Sequence, residues 1–322
     1  MSFFRHLFGF EPNDNLRIII TRHGERADFA LGKNWANEVR RRGGQDPRVP
    51  HLTPRPHYND WNYDPSLTIA GENQSASIGK KLRELGYKID YCYSSPAYRS
   101  IQTANKILEG QDRNQVPINI EPGLFECPAW YSGKPLSFIP PQYLAQDRKF
   151  NINPNYRPIY DSVDPNEDER HYYRRSRALI RDILSAHKYQ GGTVLLSGHG
   201  GSIEAVSRGL RGFRKRHHRR PEHLIQEALR VDYCNFAILE RDKKTREWTV
   251  RIPHEHNKPS EAGLSMYSII PLYGVSTQHL TQPTVQQIQP VSRRHRHRYP
   301  PQQRVNAYPP QQRVNAYPHH YR

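Results

Sequence analysis

Short apolar segments alternate along the chain with longer segments whose apolar residues recur at helical spacing. Residues 16–21 form an apolar, β-branched run of the kind that becomes a buried parallel strand. Five later runs are also predicted to be strands, the last two at the edge of the sheet: residues 89–94, 116–120, 193–197, 234–240 and 248–252.

Helices are predicted between these strands. Thr68 can cap a helix that stops at Gly86, and further helices are expected after Pro96, over residues 167–188 and from Ser202. Strands that alternate with helices predict an α/β fold. We expect a three-layer sandwich, in which a mostly parallel central sheet is flanked by helices.

Composition divides the chain into an N-terminal extension over residues 1–14, a body over 15–275 and a tail over 276–322. The tail is rich in Gln, Pro, Arg, His and Tyr, and the sequence YPPQQRVNA occurs in it at 299–307 and again at 308–316. Such a segment cannot bury enough apolar surface to offset its ordering entropy, which predicts disorder. It is either a docking tail for a Pro-recognising module, an acidic partner or RNA, or simply a solvated tail.

The body contains one long segment without strand or helix signals, residues 31–66, which is rich in Gly, Pro, Trp and Tyr. A loop of that length is usually either functional or disordered.

The 322-residue chain has a formal net charge of +17, and this charge is concentrated in three blocks. Residues 277–322 and 208–220 contain no acidic residue, and residues 39–57 contain five Arg and one Asp. The rest of the chain is close to neutral. This distribution argues against a nucleic-acid-binding domain, while the basic blocks leave contacts with an acidic partner or nucleic acid open.

Cys92, Cys127 and Cys234 are far apart and odd in number, so neither a disulfide framework nor a CxxC metal site is expected. This cysteine usage predicts a reducing, cytoplasmic location. No apolar run is long enough to span a membrane, and residues 1–10 lack the features of a signal peptide.

Charged turns follow three of the predicted strands. Ligands of open α/β sheets bind beyond the carboxyl ends of the strands, so the side chains of these turns are expected to share one crevice. Glycines beside the histidines let the backbone approach a ligand, and a helix that begins at Ser202 favours an anion. The turns contribute two histidines and three arginines: His23 and His199, with Arg22, Arg26 and Arg99.

Converging arginines suit a doubly charged anion, because the guanidinium fork matches phosphate in a bidentate fashion. A neutral imidazole is a competent nucleophile at pH 7. Together they predict phosphoryl transfer through a phosphohistidine, with arginines neutralising the charge, so that no metal or cofactor is expected. The leaving group needs a proton, for which Glu126 is the best candidate. Glu25 is less favoured, because its alternation with Arg26 turns it away from the pocket.

Five motifs together resemble the histidine phosphatase superfamily, whose fold is phosphoglycerate-mutase-like. Within it the chain is most similar to the Sts/TULA-type phosphatases and the insect ecdysteroid-phosphate phosphatases, over about residues 15–275. The motifs are RHGERAD at 22–28, LGKNW at 31–35, SSPAYRSIQTA at 94–104, EPGLFE at 121–126 and SGHGGS at 197–202.

The resemblance implies that His23 is the phosphorylated nucleophile and that Glu126 is the proton donor. It also implies a metal-independent phosphomonoester phosphatase that acts on phosphotyrosine proteins or on a bulky small-molecule phosphate. Related domains can dimerise, so a homodimer is a further possibility. The residues that the resemblance places around the phosphate are Arg22, Arg26, Arg99 and His199.

Other enzyme classes fit the chain less well. Six residues separate Cys92 from Arg99, which does not match the C-x5-R motif of cysteine-dependent tyrosine phosphatases, and GxSxG and P-loop motifs are absent. Two alternatives stay open. One is a phosphoglycerate mutase activity, and the other is a non-catalytic protein that binds phosphoproteins or nucleic acid through the same fold, the basic segment and the tail.

Overall fold

The computed structural model describes residues 16–131, 133–211, 224–242, 245 and 247–251. The N-terminal extension 1–14, the tail 276–322 that is predicted to be disordered and most of the basic segment 208–220 lie outside these residues, and so do the last residues of the body.

Six strands form a single sheet in the order β3-β2-β4-β1-β5-β6. The first four in this order run parallel to their neighbours, whereas β5 is antiparallel to β1 and β6 is antiparallel to β5. The predicted α/β fold with a mostly parallel sheet is confirmed, and the last predicted strand lies at the edge. The strands are β1 (Leu16–Arg22), β2 (Tyr91–Ser94), β3 (Ile118–Ile120), β4 (Gly192–Gly198), β5 (Phe236–Arg241) and β6 (Trp248–Arg251).

The helices follow the predicted alternation with the strands. Thr68 caps its helix as predicted, because its side chain accepts a hydrogen bond from the Gly71 amide. Asp168 does the same for the His171 amide at the start of the longest helix. The described helices are α1 (Ala27–Leu31), α2 (Trp35–Arg41), α3 (Ile69–Glu84), α4 (Tyr98–Gly110), α5 (Pro141–Gln146), α6 (Glu169–His187), α7 (Gly200–Arg211) and α8 (Leu224–Leu229).

Both faces of the sheet are covered, since strand side chains alternate between two apolar clusters. In the centre of the sheet, Ile19 and Leu195 point into a cluster that includes residues of α3 and α4. Ile20 and Leu196, their neighbours along the chain, point into a second cluster that includes residues of α6 and α7. This is the three-layer arrangement, and it leaves the carboxyl ends of the parallel strands uncovered for a site.

The interpretation of residues 31–66 as a loop is wrong in part. The segment contains α2 and a 3-10 turn at Tyr58–Asn62, and Trp35 and Trp61 are each only 1% exposed. Their rings meet edge to face at 6.2 Å. Two buried indoles supply the apolar surface that orders a segment in which no periodic pattern is visible.

Candidate active site

The sheet places His23 and His199 side by side. In the pairing of β1 with β4, Arg22 lies opposite Gly198, so the residues that follow these two leave the sheet at the same point. The His23 amide donates to the Gly198 carbonyl at 3.1 Å, and the two imidazole rings are 5.4 Å apart. The strand-end prediction therefore holds for both histidines.

His23 is held in one tautomer. Its Nδ1 lies 2.9 Å from the carbonyl oxygen of Gly24, and because a carbonyl only accepts, Nδ1 carries the proton and Nε2 keeps a lone pair. The side chain is 2% exposed. Burial, followed by the positive charge of Arg99, holds the pKa of His23 well below its usual value. The imidazole is therefore neutral at pH 7.

His199 lies between Arg99 and Ser95. Its Nδ1 is 3.3 Å from Arg99 Nη2, and its Nε2 is 2.9 Å from the Ser95 hydroxyl. Burial and then Arg99 keep the pKa of His199 well below its usual value. The Ser202 hydroxyl accepts from the His199 amide at 3.0 Å. Helix α7 begins at Gly200, two residues before the predicted Ser202.

The glycines beside the histidines serve backbone packing. A Cβ on Gly24 would lie 2.5 Å from the carbonyl oxygen of Gly71, and one on Gly200 would lie 2.3 Å from that of Ala228. The expectation that these glycines make room for a ligand is therefore incomplete, because a neighbouring backbone already occupies the space beside each of them.

Arg99, Glu126 and Tyr131 form a closed triangle of hydrogen bonds. Arg99 Nη2 donates to Glu126 Oε1 at 2.6 Å and to the Tyr131 hydroxyl at 3.0 Å, and that hydroxyl donates to the same Oε1 at 2.6 Å. Burial would raise the pKa of Glu126, but Arg99, Arg26 and the Tyr131 hydrogen bond bring it below its ordinary value. Glu126 is thus ionised in the resting site.

A buried carboxylate fixes Arg99 from the other side. Asp64 is 1% exposed and accepts a hydrogen bond from the Tyr98 amide at 2.8 Å, at the start of α4. Its Oδ1 lies 3.7 Å from Arg99 Nη1, and it is also paired with Arg55. Asp64 belongs to the segment that the sequence suggested was a loop, and no sequence signal marked it as part of the site.

Arg22 and Arg26 are also positioned by residues that sequence reasoning missed. The Arg26 guanidinium makes a two-pronged ion pair with Asp28, with distances of 3.0 and 2.7 Å. Arg22 donates to the Val231 carbonyl and lies over the Tyr233 ring at 4.6 Å. Burial lowers the pKa of Arg22, which nevertheless remains a cation at neutral pH.

Arg175 supports the segment that carries Glu126. Its Nη1 donates to the carbonyls of Gly123 and Phe125 at 2.5 and 2.9 Å, and its charge is balanced by Glu167 at 2.6 Å. Arg175 belongs to α6, and its side chain is buried. A helix on one face of the sheet therefore sets the position of the proposed proton donor.

Four of the six predicted residues line one cavity of about 690 Å³: Arg22, His23, Arg26 and Glu126. Arg99 and His199 complete the group through their contacts with Glu126. The structure thus brings all six together. Glu25 is turned away as expected, since its carboxylate accepts from the Thr68 hydroxyl at 2.7 Å.

Exposed apolar side chains make up much of the cavity mouth, beside two exposed lysines, Lys33 and Lys134. Four large hydrophobic residues line it, two of them 72% exposed: Phe29 and Leu229, with Tyr63 and Ile225. Trp130 and Tyr131 also line the cavity. In the described part of the chain, no three His, Cys, Asp or Glu side chains are grouped so as to hold a metal ion.

A family model described as "Histidine phosphatase superfamily (branch 1)" matches residues 56–251. The chain belongs to this superfamily. The matched span begins after Arg22 and His23, which the pairing of β1 with β4 brings to the rest of the site.

Relatives of this histidine phosphatase include the human ubiquitin-associated and SH3 domain-containing protein B, which is 31% identical over 246 residues, covering 73% of this chain and 37% of the relative. The Drosophila melanogaster ecdysteroid-phosphate phosphatase is 31% identical over 241 residues, covering 70% of this chain and 31% of the relative. The chain spans less than two fifths of the length of these two relatives.

A solved structure supports the same grouping. The ecdysone phosphate phosphatase from Bombix mori, in complex with tungstate, has a TM-score of 0.65 and 27% sequence identity, covering 77% of this chain and 97% of that chain. The resemblance inferred from the motifs is thereby confirmed. None of the described helices combines the length and apolar character that crossing a bilayer requires.

Proposed function

We propose that this histidine phosphatase hydrolyses phosphomonoesters through a phosphohistidine formed on His23. The observation that carries the proposal is the state of that imidazole, which is neutral, with its Nδ1 proton held by the Gly24 carbonyl and its Nε2 lone pair free. It lies in a cavity that also holds two arginines and a carboxylate. This combination supports nucleophilic attack on a phosphoryl group.

In the first step, His23 Nε2 forms a bond to phosphorus while the bond from phosphorus to the ester oxygen breaks. The leaving oxygen takes a proton from Glu126. In the second step, a water molecule attacks phosphorus, the bond to Nε2 breaks, and the Glu126 carboxylate accepts the proton of the water. Inorganic phosphate leaves, and Glu126 releases to solvent the proton that it took up from solvent when the substrate bound, so both side chains return to their starting states.

The arginines are proposed to hold the phosphate and to neutralise its charge, which makes a metal ion unnecessary. Support comes from two buried arginine N–H groups that lack an acceptor in the described part of the chain. The Nε atoms of Arg22 and Arg99 are buried and have no hydrogen-bond partner within the described residues. A buried donor without a partner destabilises the protein by about 1–3 kcal/mol, and a phosphate oxygen that accepts its hydrogen bond removes this cost. His199, whose Nδ1 lies 3.3 Å from Arg99 Nη2, is proposed to line the phosphate pocket as well.

Substrate binding is proposed to prepare Glu126 for proton transfer. In the resting site Arg99 is engaged by the carboxylate, which keeps Glu126 ionised. A phosphate dianion competes for that guanidinium and adds negative charge beside the carboxylate. Both effects raise the pKa of Glu126, so the protonated form is favoured only when substrate is present.

The apolar side chains at the mouth point to a bulky, apolar leaving group rather than a three-carbon acid. Phe29 and Leu229 are each 72% exposed and line the cavity, so a hydrophobic leaving group would cover surface that is otherwise in contact with water. Phosphotyrosine and steroid phosphates both meet this description, and relatives of the chain are named as ecdysteroid-phosphate phosphatases.

The test compares hydrolysis of p-nitrophenyl phosphate by the wild type, by His23→Ala and by His171→Ala in the presence of EDTA. His171 is an exposed histidine on α6 and serves as the matched control. We expect wild type and His171→Ala to be equally active and His23→Ala to lose activity by at least about 10³-fold.

Rapid quenching with ³²P-labelled substrate should trap an acid-labile, base-stable phosphoenzyme that is absent from His23→Ala. Label on a cysteine or serine would contradict the mechanism. An inactive wild type that still binds phosphotyrosine tightly would establish the non-catalytic alternative instead. Among active outcomes, a kcat/KM that does not rise from glycerol phosphate to aryl and steroid phosphates would contradict the proposed leaving-group class.

A further inference from the structure

Tyr131 occupies a place in the site that the proposed reaction leaves unexplained. It ends the 3-10 turn Pro128–Tyr131, and its ring packs against that of Phe125 at 5.3 Å. Its hydroxyl lies between Arg99 and Glu126. The ring contact fixes where the hydroxyl can reach.

The direction of each hydrogen bond at Tyr131 follows from chemistry. Arg99 Nη2 can only donate, so the Tyr131 oxygen, 3.0 Å away, accepts a hydrogen bond from it. The single proton of the hydroxyl is then directed to Glu126 Oε1, at 2.6 Å. The short distance is typical of a hydroxyl that donates to a charged carboxylate.

The two oxygens of Glu126 are not equivalent. Oε1 receives the hydrogen bonds of Arg99 and Tyr131, whereas Oε2 has no hydrogen-bond partner among the described residues. Glu126 also lines the cavity. A proton added to the carboxyl group would meet two donors at Oε1 and none at Oε2.

Other charged or titratable groups face Glu126 from several elements. The cations among them are the same groups that are proposed to bind phosphate, so their hold on the carboxylate weakens when substrate arrives. Tyr131 is neutral and keeps its hydrogen bond. The groups are Arg22 at the end of β1, His23 and Arg26 after it, Arg99 on α4, His199 after β4 and Tyr172 on α6.

We propose that Tyr131 is a positioning residue that anchors Oε1 of Glu126, so that Oε2 carries the proton delivered to the leaving group. This inference rests on the proposed function of Glu126 as the proton donor. By donating to the ionised carboxylate, Tyr131 also opposes protonation of Glu126. It therefore sets the upper pH limit of the reaction.

The test is Tyr131→Phe, which removes one oxygen and keeps the ring that packs on Phe125. Loss of a donor to the carboxylate raises the pKa of Glu126, so the basic limb of the kcat profile, which reports the enzyme–substrate complex, should move upward by about 0.5–1 pH unit. With the carboxyl group less well oriented, kcat for alkyl phosphates should fall about 5- to 20-fold, and kcat for p-nitrophenyl phosphate should fall less. Tyr143→Phe, on exposed α5, is the matched control and should behave as the wild type.

A double-mutant cycle separates this role from a merely structural one. In the Glu126→Gln background, Tyr131→Phe should no longer alter the leaving-group dependence, because the carboxyl group on which it acts is gone. If an active wild type and Tyr131→Phe have the same pH profile, or if the two substitutions act additively, the inference on Tyr131 fails while the proposed function stands.

The coupling can also be measured without turnover. A ¹³C NMR titration of the glutamate carboxyl groups, with the Glu126 signal assigned by its loss in Glu126→Gln, should show a higher pKa in Tyr131→Phe. An unchanged titration overturns the inference. If the pKa of Glu126 is higher in Tyr131→Phe but the wild type has no phosphatase activity, the coupling between Tyr131 and Glu126 is retained and the proposed function is rejected.

Discussion

The two glutamates of the EPGLFE segment lie five residues apart and carry the same charge, yet they are held in different ways. Glu121 is fully buried, and three of its four hydrogen-bond donors are backbone amides. Its carboxylate accepts from the amides of Gly123, Ile159 and Tyr160 at 2.8, 2.7 and 3.1 Å and from the Tyr156 hydroxyl at 2.7 Å.

Glu126, in contrast, is held by two side chains, and one of them, Arg99, is also proposed to bind the phosphate. Arg99 and Tyr131 come from different parts of the fold, and both contact only Oε1. The backbone amides around Glu121 cannot turn to a bound ligand. The Arg99 guanidinium at Glu126 can turn to a bound phosphate, which lets this carboxylate change its protonation state, as acid–base chemistry requires.

The largest effect is expected from Glu126→Gln. An amide cannot deliver a proton, so kcat for alkyl phosphates should fall by about 10²–10⁴-fold, whereas p-nitrophenyl phosphate, with its good leaving group, should lose less than about tenfold. The thermal midpoint should change little. Steady-state kinetics on both substrates are the measurement, and equal losses on the two would assign Glu126 a structural role.

Glu121→Gln should give the reverse result. The NH2 of the new amide group would point at N–H or O–H groups that now donate to the Glu121 carboxylate. The free energy of unfolding should therefore fall by about 2–4 kcal/mol, as measured by urea denaturation. Because Glu121 does not line the cavity, kcat per folded molecule should stay within about threefold of the wild type. A stable but inactive variant would contradict the contrast between the two glutamates.

The buried histidine His23 is expected to make the stability of the fold depend on pH. A pKa lowered by folding means that the unfolded chain binds more protons just below pH 6.5, so stability is complete above that pH and falls as the pH drops. Each buried histidine contributes a slope of up to about 1.4 kcal/mol per pH unit between pH 5 and 6.5. His23→Asn should reduce the slope of unfolding free energy against pH, as measured by urea denaturation at several pH values.

The smallest effect is expected from arginines outside the cavity. Four exposed arginines lie on one face of α6 at positions i, i+4, i+7 and i+11, and replacing all four by Gln should change kcat/KM by less than about twofold at physiological salt. Stopped-flow or steady-state assays at 10 mM salt would reveal any steering of anionic substrates as a larger loss. A large loss at high salt would contradict the division between cavity and surface arginines. The four are Arg170, Arg174, Arg177 and Arg181.

Much of the fold was predictable because its signals are local. The strands, the Thr68 cap and the Gly86 stop depend on a few neighbouring residues each, and Gly86 does adopt a positive φ of 77°. The missed helices α1, α5 and α8 have only five or six residues, too few for an apolar period to show. Helix α2 was hidden because its ordering depends on Trp35 meeting Trp61 across the fold.

The candidate site also has a part that local sequence signals predicted and a part that depends on contacts across the fold. The sequence by itself determined that His23, His199 and Arg99 follow strands, and the rule that ligands bind beyond strand ends was enough to place them together. Only the tertiary structure decided which groups surround them. Asp64, Tyr131 and Tyr233 reach the site from segments far apart in the chain, and such contacts leave no spacing pattern.

The protonation states were likewise decided by the tertiary structure. The sequence contains a histidine and a glutamate with ordinary titration behaviour, and it identified both as candidates from their motifs. Burial of His23 and the pairing of Glu126 with Arg99 set one neutral and the other ionised. Desolvation and charge proximity depend on distances through space, and the fold alone supplies them.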